Sequence, residues 1–68
     1  MNSPEFRKEV GNKLKKAREK AKLTQVEVAE KAGISTNYYA CVERGEVNIA
    51  AERLQQIAEV LGIKLLNI

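Results

Sequence analysis

The sequence predicts an all-α fold, and three observations support this prediction. Hydrophobic residues recur at intervals of three and four positions in several segments, as they do along one face of a helix. Ser, Thr and Gly stand at the ends of those segments, where helices are commonly capped. Hydrophobic residues make up 44% of the chain but include only three aromatic ones, so the core must come mainly from Leu, Ile, Val and Ala.

The first helix is predicted over residues 4 to about 21. Ser3, Pro4 and Glu5 form a favourable start, because they supply a cap, a proline for the first turn and an early acid. An apolar stripe at helical spacing then predicts an amphipathic helix with its lysines outward. The stripe consists of Phe6, Val10, Leu14, Ala17 and Ala21.

The second helix is predicted from Thr24 to about Ala32. Thr24 and Glu27 have the spacing of a capping box, in which each side chain accepts a hydrogen bond from the other residue's amide. Val28 and Ala32 then fall on one face. Gly33 stands where the end of a helix requires a left-handed residue.

The third helix is predicted to be capped by Ser35 and to run through Val42 until Gly45 stops it. Only a few residues separate it from the second helix. Two short helices joined by a turn that contains glycine form a helix-turn-helix. Residues 36 to 43 are then the recognition helix, which such a motif places in the major groove of DNA.

A fourth helix is predicted from about Ala50, and Gly62 ends it. Its stripe is Leu54, Ile57, Ala58 and Leu61. Residues 46–49 are predicted to form a loop in which Asn48 can cap this helix. The apolar residue turned inward in the loop is Val47 or Ile49.

The apolar tail over residues 63–68 is compatible with a short strand or with one helical turn. Leu65, Leu66 and Ile68 would leave an exposed apolar patch unless something covers them. The tail either folds back on its own core or forms a homodimer contact. We favour the homodimer, because one helix-turn-helix contacts only a few base pairs and proteins of this type commonly present two.

Composition limits the classes of protein that this chain can be. Its 68 residues predict one domain spanning residues 1–68. The single cysteine, Cys41, cannot form an internal disulfide, and no segment resembles a signal peptide or a membrane span, so we expect a cytoplasmic protein. The chain has no histidine and no grouping of a nucleophile with a base. We therefore expect no enzyme activity, no cofactor and no metal.

The net charge of +3 is unevenly distributed, because residues 1–22 hold eight of the twelve basic residues. This uneven distribution of charge predicts that one side of the protein attracts a polyanion, although a solvated helix face would give the same pattern. The lysines expected to add long-range attraction are Lys13, Lys16 and Lys20.

The faces of the recognition helix can be sorted by spacing. Tyr39 and Val42 should point to the core together with Ile34. The residues that then lie outward and can read bases are Thr36, Asn37, Ala40 and Cys41. Asn37 is the best candidate, because its amide can donate to and accept from adenine together.

Phosphate contacts are expected on both flanks of the motif. Gln25 lies in the first turn of the second helix, where it can bind a phosphate beside the helix amides. The other candidates are Ser35, the hydroxyl of Tyr38, Arg44 and Asn48.

The run T-Q-V-E-V-A-E-K-A-G-I-S-T-N-Y-Y-A-C-V-E-R-G resembles the helix-turn-helix of the phage-repressor, Cro and xenobiotic-response-element (XRE) family. The resemblance extends from about Leu14 to Gly62. It implies a compact, lambda-repressor-like bundle of four to five helices. It also implies base contacts by Thr36, Asn37 and Cys41, and phosphate contacts by Gln25, Ser35 and Arg44. Arg18 and Glu43 match a pair that forms a structural salt bridge in some phage repressors.

Three positions depart from the family pattern. Val28 replaces the usual Leu, and Ala50 stands where many relatives have a Ser or Thr cap. Tyr39 occupies a site that is usually aliphatic, so the core must accommodate a ring and give its hydroxyl a polar outlet.

These observations predict a sequence-specific DNA-binding transcriptional regulator, a repressor or autoregulator that binds a short palindromic operator as a homodimer. Its partner is double-stranded DNA, and no membrane is involved. One alternative is an antitoxin or a restriction-modification controller with a protein partner such as a toxin. The other is a protein-interaction module that uses the same fold without reading DNA.

Overall fold

The structure is a computed structural model that describes residues 3–64. Within that range it contains four helices and no strand: α1 Pro4–Lys20, α2 Gln25–Ala32, α3 Thr36–Glu43 and α4 Ala51–Leu61. The all-α prediction is confirmed, with each helix end within about two residues of its expected position. The tail residues 65–68, on which the expected strand and dimer contact mainly fall, lie outside the described residues.

Local side-chain hydrogen bonds fix the starts of the first three helices. The Thr24 amide donates to Glu27 Oε1 at 2.8 Å and the Glu27 amide donates to Thr24 Oγ1 at 3.1 Å, which completes the predicted capping box. Ser3 and Ser35 cap α1 and α3 through one bond each, in which the hydroxyl oxygen accepts from an amide at 3.0 Å. Gly33 follows α2 with a φ of 73°.

The start of α4 differs from the prediction. Ala50 is its N-cap, and no side chain caps it. A side chain can bond the first helical amides only from the residue directly before the helix. Asn48 stands two residues before Ala50, so it is too far away to act as the cap. Its Oδ1 instead accepts a hydrogen bond from Arg7 Nη1 at 3.0 Å, so the prediction that Asn48 caps α4 was wrong.

All four helices contribute to one hydrophobic core, whose buried residues are Leu14, Val28, Ala29, Tyr39, Val42, Ile57, Ala58 and Leu61. Val47 and Ile49 both pack against it, whereas the sequence predicted one or the other. The predicted stripe of α1 is correct in its middle but not at its ends. Phe6 is 47% exposed at the first turn of α1, and Ala21, which follows the last residue of α1, is exposed as well.

The buried ring of Tyr39 meets the expected polar outlet only in part. Its hydroxyl lies beside the Glu43 carboxylate but satisfies full hydrogen-bond geometry with no group among residues 3–64. Both oxygens of the nearby Glu43 carboxylate are already engaged by Arg18 and Gln25. Burial, together with the Glu43 carboxylate, raises the pKa of Tyr39.

Glycine allows α1 to cross the end of α3 at very short distance. A Cβ at Gly11 would collide with the backbone carbonyl oxygen of Glu43 and lie 2.7 Å from that of Val42. Gly45, with a φ of 73°, also packs closely against Lys8, since a Cβ there would lie 2.9 Å from the Lys8 backbone nitrogen. The polar side of α1 is therefore held directly beside the end of the recognition helix.

Candidate nucleic-acid interface

The outward face of α3 carries the four predicted base-reading residues. Asn37 is exposed, while Thr36, Ala40 and Cys41 are half-buried. The inward face is formed by Tyr39, Val42 and Glu43, which are buried. Within residues 3–64 the Asn37 side chain makes no hydrogen bond, so its amide donor and acceptor both face solvent.

An open polar groove of about 530 Å³ lies at the C-terminal end of α3. It brings together two of the predicted phosphate ligands, Gln25 from the start of α2 and Arg44 from the end of α3. The sequence did not single out the other side of the groove, which α1 forms with Lys8, Asn12 and Lys15. These three residues stand at positions i, i+4 and i+7, so they share one face of the helix.

The lysines that the sequence favoured lie elsewhere on α1. Lys13, Lys16 and Lys20 are exposed, but they do not line the groove. The groove side of α1 is set by how the helix packs against α3. The relevant signal was present in the sequence as the polar row of Lys8, Asn12 and Lys15 beside the apolar stripe.

A buried ion pair forms the floor of the groove. Arg18 Nε donates to Glu43 Oε2 at 2.6 Å and Arg18 Nη2 donates to Glu43 Oε1 at 3.3 Å. The two side chains are 14% and 4% exposed. Arg18 Nη1 also donates to the Leu23 carbonyl at 2.9 Å. The pair thus ties α1 to α3 and to the turn before α2, which holds the walls of the groove in place.

Burial and hydrogen bonding act in opposite directions on this carboxylate. Burial alone would raise the pKa of Glu43, but hydrogen bonds from donors that include Arg18 and Gln25 outweigh it, so the net pKa is lowered. Gln25 contributes through its Nε2 at 3.0 Å from Glu43 Oε1. That bond uses one of the two amide hydrogens of Gln25, and the other remains able to reach a phosphate.

A second concavity lies at the N-terminal end of α3. Ser35 and Tyr38, two more of the predicted phosphate ligands, line it together with Gly33, Ile34 and Arg53. The Ser35 oxygen accepts the Tyr38 amide as a helix cap, but its hydroxyl proton can still be donated. Arg53 comes from α4 and is exposed. Nothing in the sequence around Arg53 indicated that it would stand beside Ser35 and Tyr38.

Asn48 lines neither concavity. Its oxygen is engaged by Arg7, whose Nε also donates to the Gly45 carbonyl at 3.2 Å. The structure therefore separates Asn48 from the other predicted phosphate ligands, which lie in one set at each end of α3.

Membrane spans and metal-ligand clusters have no counterpart among residues 3–64. Its helices include none that is both long and apolar enough to cross a bilayer. Its His, Cys, Asp and Glu side chains form no group of three or more that could hold a metal ion.

Comparisons with known proteins identify the family of the chain. A family model described as helix-turn-helix matches residues 14–67. The chain is 43% identical over 56 residues to the immunity repressor protein of Bacillus phage phi105, in an alignment that covers 82% of this chain and 39% of that repressor. The chain therefore spans less than half the length of this relative.

A second relative is the uncharacterized HTH-type transcriptional regulator y4dJ of Sinorhizobium fredii, which is 36% identical over 59 residues. That alignment covers 87% of this chain and 77% of the regulator. No solved structure gives a significant match. The two relatives and the family model together show that the chain belongs to the helix-turn-helix family of DNA-binding transcriptional regulators.

Proposed function

We propose that this chain is a sequence-specific repressor or autoregulator that places α3 in the major groove and binds a short palindromic operator as a homodimer. The observation that carries the proposal is the outward face of α3, on which Asn37 is exposed, with a cationic, hydrogen-bonding set at each end of the helix. A helix lying in the groove has a phosphate backbone on either side of it. The repressor role follows the name of the phage relative.

Each set supplies groups that recognise phosphate. At one end Gln25 and Arg44 stand with Lys8 and Lys15, and at the other Ser35 and Tyr38 stand with Arg53. Asn48 keeps its amide hydrogens for a contact from the loop. The proposal involves no catalytic step and no cofactor, and it places the protein in the cytoplasm with its DNA.

Selection of binding sites from random duplex DNA, combined with sedimentation of the purified protein, tests this proposal. We expect a palindromic site and a dimer, with affinity that falls steeply as salt rises, because phosphate neutralisation releases counterions. Binding that is weak and insensitive to salt would favour a protein-interaction module instead. A monomer on a site without symmetry would contradict the dimer.

Replacing Asn37 with alanine is expected to remove discrimination at one base pair. The amide can pair with adenine through one donor and one acceptor, so the loss should be about 1–3 kcal/mol at that position. Competition binding with single-base variants of the selected site measures it. If the preference for each base of the selected site were unchanged, Asn37 would not be one of the residues that read bases.

The groove lysines provide a second test through the double variant Lys8→Gln/Lys15→Gln. Loss of two phosphate contacts should weaken binding to every duplex and lower the slope of log affinity against log salt by about 2. The matched control is Lys13→Gln/Lys16→Gln, which removes the same charge from the same helix outside the groove. Equal slopes for the two variants would show that the groove does not contact the backbone.

A further inference from the structure

Arg44 forms an ion pair next to the outward face of α3, and this pair suggests that Arg44 has a role other than phosphate binding. Arg44 Nε donates to Glu46 Oε2 at 2.9 Å, and Arg44 Nη2 donates to Glu46 Oε1 at 3.1 Å. Nη2 also lies 3.4 Å from Cys41 Sγ. The guanidinium is thus held between an acid of the following loop and the last predicted base-reading residue of α3.

Arg44 continues the row of residues that faces the bases. Asn37, Cys41 and Arg44 stand at positions i, i+4 and i+7, which align on one side of a helix. Arg44 keeps right-handed backbone angles, with φ at −81° and ψ at −5°, although it follows the last residue of α3. It therefore starts about 10 Å along the helix axis from Asn37, with a long side chain to reach further.

The two bonds to Glu46 occupy the side of the guanidinium made by Nε and Nη2. At the end made by Nη1 and Nη2, Nη2 donates to the weak acceptor Cys41 Sγ at 3.4 Å, so a base edge that binds there has only this weak bond to displace among residues 3–64. That end carries two parallel N–H groups. Such a pair matches the O6 and N7 acceptors that guanine presents in the major groove.

The same acid is unfavourable for a phosphate contact. If Arg44 bound a phosphate, the Glu46 carboxylate would lie close to a second negative group, and the pair would bring no net charge to the backbone. A base edge is uncharged, so it can bind one edge of the fork while Glu46 holds the other. An arginine held in this way loses less side-chain freedom when it binds.

We propose that Arg44 reads a guanine by bidentate hydrogen bonds and that Glu46 is the positioning residue that fixes its fork. This inference rests on the proposed function, since it requires α3 to lie in the major groove. It moves Arg44 out of the phosphate-binding set named under the proposed function and leaves Gln25, Lys8 and Lys15 to contact the backbone at that end of α3. It thus assigns a second base position, distinct from the one read by Asn37.

The variants Arg44→Lys and Glu46→Gln test the inference on the selected operator and on versions with each base pair changed. Lysine keeps the charge but loses the fork, so Arg44→Lys should lose at least about fivefold in preference for one guanine. Glu46→Gln should weaken the preference at that same guanine, while its affinity for random duplex stays equal or rises. Glu52→Gln, which removes an exposed acid from α4, should leave the preference unchanged.

Two results would overturn the inference. In the first, Arg44→Lys keeps every base preference, which assigns Arg44 to a phosphate. In the second, Glu46→Gln strengthens binding to all duplexes by the same factor without altering any preference, which makes Glu46 only a source of repulsion. If Asn37→Ala still lowers the base preference at the position assigned to Asn37, the proposed function stands and only this inference fails.

Discussion

Replacing Gly11 with alanine is expected to destabilise the protein by about 3 kcal/mol, at the upper end of the usual range for overpacking. Alanine normally stabilises a helix interior relative to glycine by about 1 kcal/mol. Here the added methyl would meet the backbone carbonyls of Glu43 and Val42, which cannot rotate away as a side chain would. The clash should therefore reverse the sign expected from helix propensity. Urea unfolding followed by circular dichroism measures the change.

The neighbouring variant Asn12→Ala is the control for this prediction. Asn12 is exposed on the same helix, so its replacement should show the gain in propensity without a clash. If Gly11→Ala were as stable as Asn12→Ala, the close crossing of α1 over α3 would be incorrect. The same crossing places Lys8 and Lys15 in the groove, so that result would also weaken the assignment of those lysines to the phosphate backbone.

The sequence predicts the helices well because their ends depend on local chemistry. The Thr24 and Glu27 capping box involves residues three positions apart, and the left-handed turn at Gly33 depends on one residue. No tertiary contact is needed to recognise either feature. The need for glycine at position 11 is different, because it arises from carbonyl oxygens more than thirty residues away in the chain.

In the candidate site, too, some features depend on one helix alone and others depend on how the helices pack. The outward position of Asn37 follows from the spacing of buried Tyr39 and Val42 within one short helix. The joining of Lys8 to Gln25 in one groove depends on how α1 crosses the motif, and the position of Arg53 depends on where α4 packs. Helical periodicity sorts the faces of each helix but does not say which neighbour each face will meet.

Replacing Arg18 with alanine is expected to lower the free energy of unfolding by about 3 kcal/mol at neutral pH. The change leaves the Glu43 carboxylate buried, with the Gln25 amide bonded to it and the Tyr39 hydroxyl beside it, but with no positive charge to balance it among residues 3–64. An unpaired buried charge is costly, which is why breaking such a pair from one side destabilises more than removing both partners. Thermal and urea unfolding measure the loss.

Two further variants separate charge from packing at this site. Arg18→Lys keeps the charge but cannot form both hydrogen bonds to Glu43, so its stability should lie between wild type and Arg18→Ala. The double variant Arg18→Met/Glu43→Leu removes both charges and should recover much of the lost stability. If the double variant were less stable than Arg18→Ala, the stranded carboxylate would not be the cause.

The dependence on pH gives the sharpest form of this prediction. In the wild type the pKa of Glu43 is lowered, so its contribution to stability is full above the ordinary carboxyl range and is lost as the pH falls below it. Without Arg18, burial dominates and raises that pKa, so acid protonates Glu43 and relieves the stranded charge. The stability difference between wild type and Arg18→Ala should therefore be smaller at pH ~4 than at pH ~7. An equal difference at both pH values would mean that Arg18 stabilises the fold through packing and its bond to Leu23 rather than through its charge.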